Sequence, residues 1–163
     1  MVAGVGNIFQ RDDAFGCEVV RLLAEEAKEG QWPDGVEIAD FGIRGIHLAY
    51  ELLDGCDLLV LVDVAERGHE PGTVSVVEVG PEDDGPPAPS VMDAHGLAPD
   101  QVFATIASLG ARPGRTLLVA CEPADVSAGM GLSDRVREAI PYAVDAVKEI
   151  LQQEGMQHDL PAG

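Results

Sequence analysis

Basic side chains are scarce in this sequence. Its 163 residues include 10 Lys and Arg against 29 Asp and Glu, which gives a formal net charge of −19 at pH 7. A nucleic-acid partner needs a basic face that neutralises phosphates, and an anionic membrane surface makes the same demand. The composition therefore argues against both partners, and the acidic surface chiefly aids solubility.

Long apolar runs and a cysteine framework are also missing. The longest apolar runs fall far short of a transmembrane helix, and no basic segment followed by an apolar one opens the chain as a secretory signal would. The three cysteines, Cys17, Cys56 and Cys121, are odd in number, widely spaced and form no Cys-x-x-Cys pair. Cysteines in this number and spacing are typical of proteins in a reducing compartment, so we expect a cytoplasmic protein.

The length and composition predict one globular domain. Apolar side chains make up 46% of the chain, enough for a core without disulfide or metal support. We expect this domain over residues 1–151 and a frayed tail over 152–163. Pro81–Ser90 is acidic and Pro-rich, which predicts a solvated surface loop. The first strand is short, which leaves open a start of the chain upstream of Met1.

Short β-branched runs alternate with amphipathic helical runs, which is typical of an α/β layered domain. The run Leu58–Asp63 is apolar on both faces and predicts a central strand covered on both sides. The connection through Pro71 and Gly72 is too short for a helical crossover, so the strand after it is expected to be antiparallel. The predicted strands are Met1–Val5, Val36–Asp40, Leu58–Asp63, Thr73–Val79 and Thr116–Cys121.

Helical spacing of apolar side chains predicts helices between and after these strands. The first opens at Asp12 and Asp13, and the third ends at Gly110. Ser133 is expected to cap the last helix, and Pro141 to kink or divide it. The second helix carries apolar side chains at Ile46, Ala49, Tyr50 and Leu53.

Carboxylates and one imidazole follow the predicted strands. Ligands of an open α/β sheet bind at the carboxyl ends of its strands, so polar residues at those positions are the candidates for chemistry. They are Asn7, Asp12 and Asp13 after the first strand, Asp40 after the second, Asp63 and Glu66 after the third, Asp93 and His95 after the fourth, and Glu122 and Asp125 after the last.

Each of the three strongest candidates has a structural alternative. Asp13 has the position of a helix-capping carboxylate, a role that Asp12 fills equally well. Asp63 ends an apolar strand, where an unpaired charge is costly, so it either caps a loop or faces a site. His95 is a surface residue or a ligand. Together the three form an O,O,N donor set that suits nickel, zinc or iron.

Other motifs are weaker. Gly4-Val5-Gly6 begins like a dinucleotide fingerprint, but Phe9 stands where the third glycine belongs, so a nucleotide-binding domain is a less favoured alternative. The chain has no GxxxxGK[ST] loop and no GxSxG elbow. The cysteines are interpreted as small buried hydrophobes, since no pattern pairs one with His95. The remaining histidines, His47, His69 and His158, have no partner at metal-ligand spacing.

Several of these residues form a known pattern. The segment Gly-Val-Gly-Asn-Ile-Phe-Gln-Arg-Asp-Asp-Ala-Phe-Gly (Gly4–Gly16) resembles the N-terminal signature of the [NiFe]-hydrogenase maturation endopeptidases. Asp40–Gly45 is similar to that family's Asp-Gly-Gly-Thr-x-Gly segment, with Phe41 and Ile43 in place of the usual Gly and Thr. Further similar segments are Leu59–Asp63, His95-Gly-Leu before a helix and Gly131-Leu-Ser opening the last helix.

The resemblance implies a three-layer α/β fold, with a five-stranded, mostly parallel twisted sheet, one antiparallel strand and helices on both faces. It also implies an endopeptidase that removes a C-terminal peptide from the nickel-loaded precursor of a [NiFe]-hydrogenase large subunit. Asp13, Asp63 and His95 would be the catalytic residues and the ligands that recognise the substrate's nickel. Asp40 and Gly42 would be second-tier substrate contacts.

The sequence departs from the family pattern near two of these positions. Many members have Glu where Asp13 stands, and Gln10 and Arg11 replace small or apolar residues. We expect nickel to arrive with the substrate rather than to be permanently bound, and the protein to act as a monomer. The alternative is a non-catalytic nickel-sensing chaperone of the same large subunit, which would keep the three ligands without cutting.

Overall fold

The computed structural model describes residues 1–28, 32, 35–79 and 99–158. The predicted acidic loop Pro81–Ser90, and with it Asp93 and His95, lies outside the described residues. None of the described helices combines the length and the apolar character that a membrane crossing requires.

Five strands form one mixed sheet, as predicted. In chain order they are β1 (Val2–Val5), β2 (Ile38–Gly42), β3 (Leu58–Val64), β4 (Val74–Val79) and β5 (Arg115–Cys121), and their order across the sheet is β2-β1-β3-β5-β4. The first three strands and β5 are parallel, and β4 pairs with β5 in the antiparallel direction. The prediction that the strand after the short connection is antiparallel is therefore confirmed.

Helices cover both faces of the sheet. They are α1 (Phe15–Ala27), α2 (Gly45–Glu51), α3 (Pro99–Ser108) and α4 (Asp134–His158), with short 3-10 turns at Arg11–Ala14 and Leu52–Asp54. One core lies between the sheet and α1 with α4, and a second lies between the sheet and α2 with α3. Successive side chains of β3 point to opposite faces of the sheet. Val60 and Val62 pack into the first core, Leu59 and Leu61 pack into the second, and all four are fully buried. Each contributes about 1.5–3 kcal/mol by leaving water.

The topology reverses direction between β1 and β3. The chain leaves β1 through α1 toward the edge strand β2, and it leaves β3 toward the opposite half of the sheet. Such a switch point opens a crevice at the carboxyl ends of the two strands. Asp13 follows β1, and Asp63 is the next-to-last residue of β3. Both residues therefore lie at these carboxyl ends.

The last helix was predicted to be kinked or divided at Pro141, and the structure excludes the division. One helix runs through the exposed Pro141, and side chains before and after it, such as Val136 and Val147, pack into the same core. The helix also continues to His158, seven residues past the expected end at Leu151. An ion pair between Glu154 and Arg115 of β5 ties the added turns to the sheet.

The buried face of α2 also differs from the apolar spacing in the sequence. Leu48, Ala49 and the following Leu52 pack into the second core. Ile46, Tyr50 and Leu53 belong to the apolar pattern noted in the sequence, yet they are exposed. The helix and the turn after it therefore carry two apolar stripes, and only one of them faces the sheet.

Candidate functional site

Three glycines bring the start of α1 onto the sheet. A Cβ at Gly16 would lie 2.2 Å from the carbonyl oxygen of Val62 and 2.4 Å from that of Val5, and a Cβ at Gly4 would lie 2.4 Å from the carbonyl oxygen of Gly16. Gly6 has a φ of +142°, and a Cβ there would lie 1.8 Å from the carbonyl oxygen of Asp13. Only glycine permits this approach, which sets the turn before α1 directly above the ends of β1 and β3.

Asp12 is a structural residue. Its side chain is fully buried and accepts hydrogen bonds from the backbone N–H groups of Ala124 and Asp125, both at 2.9 Å. It also accepts from the backbone N–H of Ser133 at 2.6 Å and from the Ser133 hydroxyl at 2.9 Å. The carboxylate therefore joins the turn before α1 to the loop after β5. The hydroxyl of Ser133, which was expected to cap α4, donates to Asp12 instead.

Asp13, the next residue, turns toward the crevice. Its Oδ2 accepts one hydrogen bond, from the backbone N–H of Asn7 at 2.7 Å, and its Oδ1 has no donor among the described residues. Burial raises the pKa of this carboxyl, and the Asn7 N–H opposes the rise. Of the two neighbouring aspartates, Asp13 is therefore the one with an oxygen free to bind a ligand.

Asp63 is the most buried acid of the crevice. The side chain is 1% exposed, and Oδ1 accepts only the N–H of the next residue, Val64, at 2.7 Å. Its Oδ2 is buried and has no hydrogen-bond partner among the described residues. Burial raises the pKa of Asp63 well above its ordinary value, and the nearby charge of Asp13 raises it further. A carboxylate in this position requires either a proton or a cation.

Cys17 lies among the acids of the site. Its thiol donates to the carbonyl oxygen of Gly6 at 3.7 Å. Burial raises its pKa, and the carboxylates of Asp40, Asp63 and Asp13 raise it further, so the sulfur stays protonated. Cys17 was expected only to be a small buried hydrophobe. Its position four residues after Asp13, which places both residues on one face of the helical segment, is the sequence signal for its place near the acids.

Asp40 and Gly42 shape the edge of the same crevice. The exposed Asp40 accepts the N–H of Gly42 on Oδ1 at 2.8 Å, which closes a turn at the end of β2. The carbonyl oxygen of Gly42 accepts the N–H of Gly6 at 3.0 Å and so ties this turn to the loop after β1.

Two of the remaining acids after the strands stabilise loops. Glu122 accepts the N–H groups of Arg67 at 2.8 Å and Gly68 at 3.3 Å, which braces the loop after β3. Asp125 pairs with Arg11 at 3.2 Å. Glu66 is exposed, and Asp93 lies outside the described residues. Among the acids that the structure describes, Asp13 and Asp63 are the central pair.

The described part of the chain gathers no group of three His, Cys, Asp or Glu side chains with the geometry of a metal site. Of the predicted O,O,N set, the two carboxylates lie close enough for one to raise the pKa of the other, and His95 is outside the described residues. The free Oδ2 of Asp63 fits a cation that arrives with further ligands of its own, since two carboxylates leave most coordination positions open.

A sheet covered by helices on both faces, with two buried carboxylates at its switch point, defines an α/β protein with a candidate site at the carboxyl ends of its strands. Comparisons with known proteins identify the family. The model of the hydrogenase maturation protease family matches residues 17–153, a range that includes Asp63 and His95 and begins four residues after Asp13.

Relatives cover almost the whole chain. The hydrogenase expression/formation protein HupD of Rhizobium leguminosarum bv. viciae is 31% identical over 159 residues, which span 96% of this chain and 75% of the relative. The structure of the hydrogenase maturating endopeptidase HybD from E. coli superposes with a TM-score of 0.68 at 29% identity and covers 94% of this chain and 92% of its own. A hydrogenase 2 maturation peptidase from Thaumarchaeota archaeon SCGC_AB-539-E09 gives a TM-score of 0.66 at 30% identity, over 92% and 95% of the two chains. The chain belongs to the hydrogenase maturation protease family.

Proposed function

We propose that this protein is an endopeptidase that removes the C-terminal peptide from the nickel-loaded precursor of a [NiFe]-hydrogenase large subunit. The observation that carries the proposal is the buried Oδ2 of Asp63, which has no hydrogen-bond partner among the described residues and lies beside Asp13 at the switch point of the sheet. The family match supplies the reaction class, and this pair supplies a place for the substrate's metal.

Nickel in this proposal belongs to the substrate. Asp13, Asp63 and His95 are its proposed ligands from this protein, and three ligands leave positions for the substrate's own thiolates. A binding site that is incomplete without the substrate makes cleavage depend on correct metal insertion, so nickel serves as the signal that the precursor is ready. Bound there, nickel polarises the scissile carbonyl as a Lewis acid.

The described residues favour water as the nucleophile. Cys17 is the thiol nearest the acids, and its raised pKa keeps it protonated and therefore unreactive. A covalent mechanism needs a nucleophile paired with a base, and none of the described side chains forms such a pair at the site. Asp40 and Gly42, which border the crevice, are proposed to contact the substrate peptide next to the scissile bond.

The test is a processing assay with purified precursor, with and without nickel, read by the mass of the large subunit. We expect cleavage only of the nickel-loaded form, and none with Asp13→Asn, Asp63→Asn or His95→Ala. The matched control is Asp134→Asn, which removes an exposed carboxylate on α4 and should cut at the wild-type rate.

Two results would contradict the proposal. Rapid cleavage of nickel-free precursor would remove nickel as the signal. An unchanged mass, together with tight binding of the nickel-loaded precursor, would favour the nickel-sensing chaperone. We also place the reaction in the cytoplasm, where Cys17, Cys56 and Cys121 remain as the free thiols that the structure shows.

A further inference from the structure

Exposed large apolar side chains follow the carboxyl ends of three parallel strands. Ile8 and Phe9 follow β1, Ile43 follows β2, and Met130 lies in the loop after β5. Phe9 is 62% exposed and Met130 is 71% exposed. Single exposed hydrophobes are common on protein surfaces, but a group of them around a candidate site indicates a binding surface.

Backbone hydrogen bonds join the segment that carries Phe9 to the segment that carries Met130. The carbonyl oxygen of Phe9 accepts the N–H of Gly129 at 2.9 Å, and the carbonyl oxygen of Gly129 accepts the N–H of Arg11 at 3.1 Å. These two bonds form a short parallel bridge between Gln10 and Gly129. We call Phe9–Arg11 with Gly129 and Met130 the loop bridge. It joins segments that are more than a hundred residues apart in the chain.

Side chains reinforce the loop bridge. Arg11 pairs with Asp125 at 3.2 Å, and it lies so close to Gly129 that a Cβ there would be 2.9 Å from Arg11 Nε. Arg11 itself has a φ of +47°, an uncommon conformation for a residue with a side chain. The backbone beneath Phe9 and Met130 is therefore fixed in advance, and apolar side chains on a fixed backbone lose little freedom when a partner binds them.

The loop bridge is directly connected to the carboxylates. The N–H of Phe9 donates to Oδ1 of Asn7 at 3.0 Å, and the N–H of Asn7 donates to Oδ2 of Asp13 at 2.7 Å. Phe9 is therefore within reach of a polypeptide whose scissile bond lies over Asp13 and Asp63. The surface is continuous with the site through these two hydrogen bonds.

We propose that Phe9 and Met130 bind an apolar segment of the substrate polypeptide next to its scissile bond and thereby set the affinity for the precursor. This inference rests on the proposed function, because it takes the substrate to be a large-subunit precursor. The local chemistry fits an apolar occupant. Phe9 and Met130 are uncharged, and the nearby cation of Arg11 is paired with Asp125. An uncharged contact lets an acidic enzyme hold a partner of either sign.

The experiment compares wild type with Phe9→Ala, Met130→Ala and the double variant. Cleavage of nickel-loaded precursor is measured over a range of precursor concentrations, and binding to immobilised precursor is measured separately. The control is Tyr142→Ala, because Tyr142 is 70% exposed on α4, outside the rim of the site. Thermal unfolding of all variants should match wild type, since the truncated side chains are exposed.

We expect the double variant to raise KM and Kd for the precursor at least about tenfold, as truncation of buried interface anchors does. kcat should change little, and Tyr142→Ala should behave as wild type. Raising the salt concentration should leave the affinity nearly unchanged, because the contact is apolar.

Three results would overturn the inference. The first is a double variant with wild-type KM and Kd. The second is an affinity that falls steeply with salt, which would assign binding to charged groups. The third is a wild-type dimer that the double variant converts to a monomer with unchanged precursor affinity, which would make the surface a contact between copies. A wild type that binds precursor through Phe9 and Met130 without cleaving it would uphold the inference and refute the proposed protease.

Discussion

Asp12 and Asp13 are adjacent in the chain and have opposite surroundings. The carboxylate of Asp12 accepts four hydrogen bonds from the loop after β5 and the start of α4. The carboxylate of Asp13 accepts one, from Asn7. One aspartate is thus fully satisfied within the fold, and the other keeps an oxygen that can bind a ligand.

The first prediction separates the two roles by substitution. In Asp12→Asn, one of the two accepting oxygens becomes an NH2 group that cannot accept. The donors that bonded to that oxygen are then buried without partners. We expect a loss of at least about 3 kcal/mol in the free energy of unfolding. Asp13→Asn should change stability by less than about 1 kcal/mol and abolish processing. Urea denaturation and the processing assay measure the two effects. Equal destabilisation by both changes would contradict the assignment of roles.

The second prediction concerns the stability contributed by Asp63. Its Oδ2 is buried and has no hydrogen-bond partner in the part of the chain that the structure describes, so the ionised form opposes folding at neutral pH. Asp63→Asn removes the charge and keeps the shape, and we expect it to raise the free energy of unfolding by about 1–3 kcal/mol while abolishing processing. A site residue whose loss stabilises the protein indicates a group retained for function. Lower stability of Asp63→Asn at neutral pH would contradict this.

The pH dependence of stability follows from the same group. The folded-state pKa of Asp63 is raised, so the folded protein retains this proton at a pH where the unfolded chain has lost it. Stability therefore falls as pH rises from the ordinary aspartate pKa toward the raised value, with a slope of up to about 1.4 kcal/mol per pH unit for one group. Asp13, whose pKa is also raised, adds a slope of the same sign. In denaturation measurements over a pH series, the free energy of unfolding should fall less steeply with rising pH for Asp63→Asn than for wild type.

The third prediction tests the contact between α1 and the sheet. Gly16→Ala places a methyl group against two backbone oxygens, those of Val62 and Val5, neither of which can rotate away. We expect a loss of about 3 kcal/mol or more, and weaker processing because Asp13 moves with α1. Gly45→Ala is the control, since its nearest neighbour is a Val102 methyl at 3.7 Å. This control should be neutral or slightly stabilising in thermal unfolding. A similar loss of stability in Gly16→Ala and Gly45→Ala would contradict the close contact between α1 and the sheet at Gly16.

Much of the fold follows from local patterns, and the departures arise from pairing between distant segments. β3 was predicted as Leu58–Asp63 and runs to Val64. β2 was predicted as Val36–Asp40 but occupies Ile38–Gly42, because its ends are set by its register with β1. The two apolar stripes of α2 have the same helical period, so the sequence could not show which one faces the sheet.

The proximity of two candidate residues was predictable, whereas their role as site residues stays a prediction. The rule that candidates lie at the carboxyl ends of the strands selected Asp13 and Asp63, and the structure places their carboxylates close enough for one to raise the pKa of the other. The role of Asp12 was not visible, because its partners lie 112 to 121 residues further along the chain. Cys17 shows the same limit, since the carboxylates of Asp40 and Asp63 reach it only through the pairing of β2 and β3 with β1.

The fourth prediction orders the reactivity of the three thiols. Cys17 and Cys121 are buried, and burial raises the pKa of both, that of Cys121 to about 12, so little thiolate is present near neutral pH. Cys56 is half-buried before β3. We expect iodoacetamide to modify Cys56 first in the native protein, and the other two only when the protein unfolds, as read by peptide masses over time. Denatured protein, in which all three should react alike, is the control. Modification of Cys17 at the rate of Cys56 would show that α1 separates from the sheet in the native state, and the fixed placement of Asp13 would then be wrong.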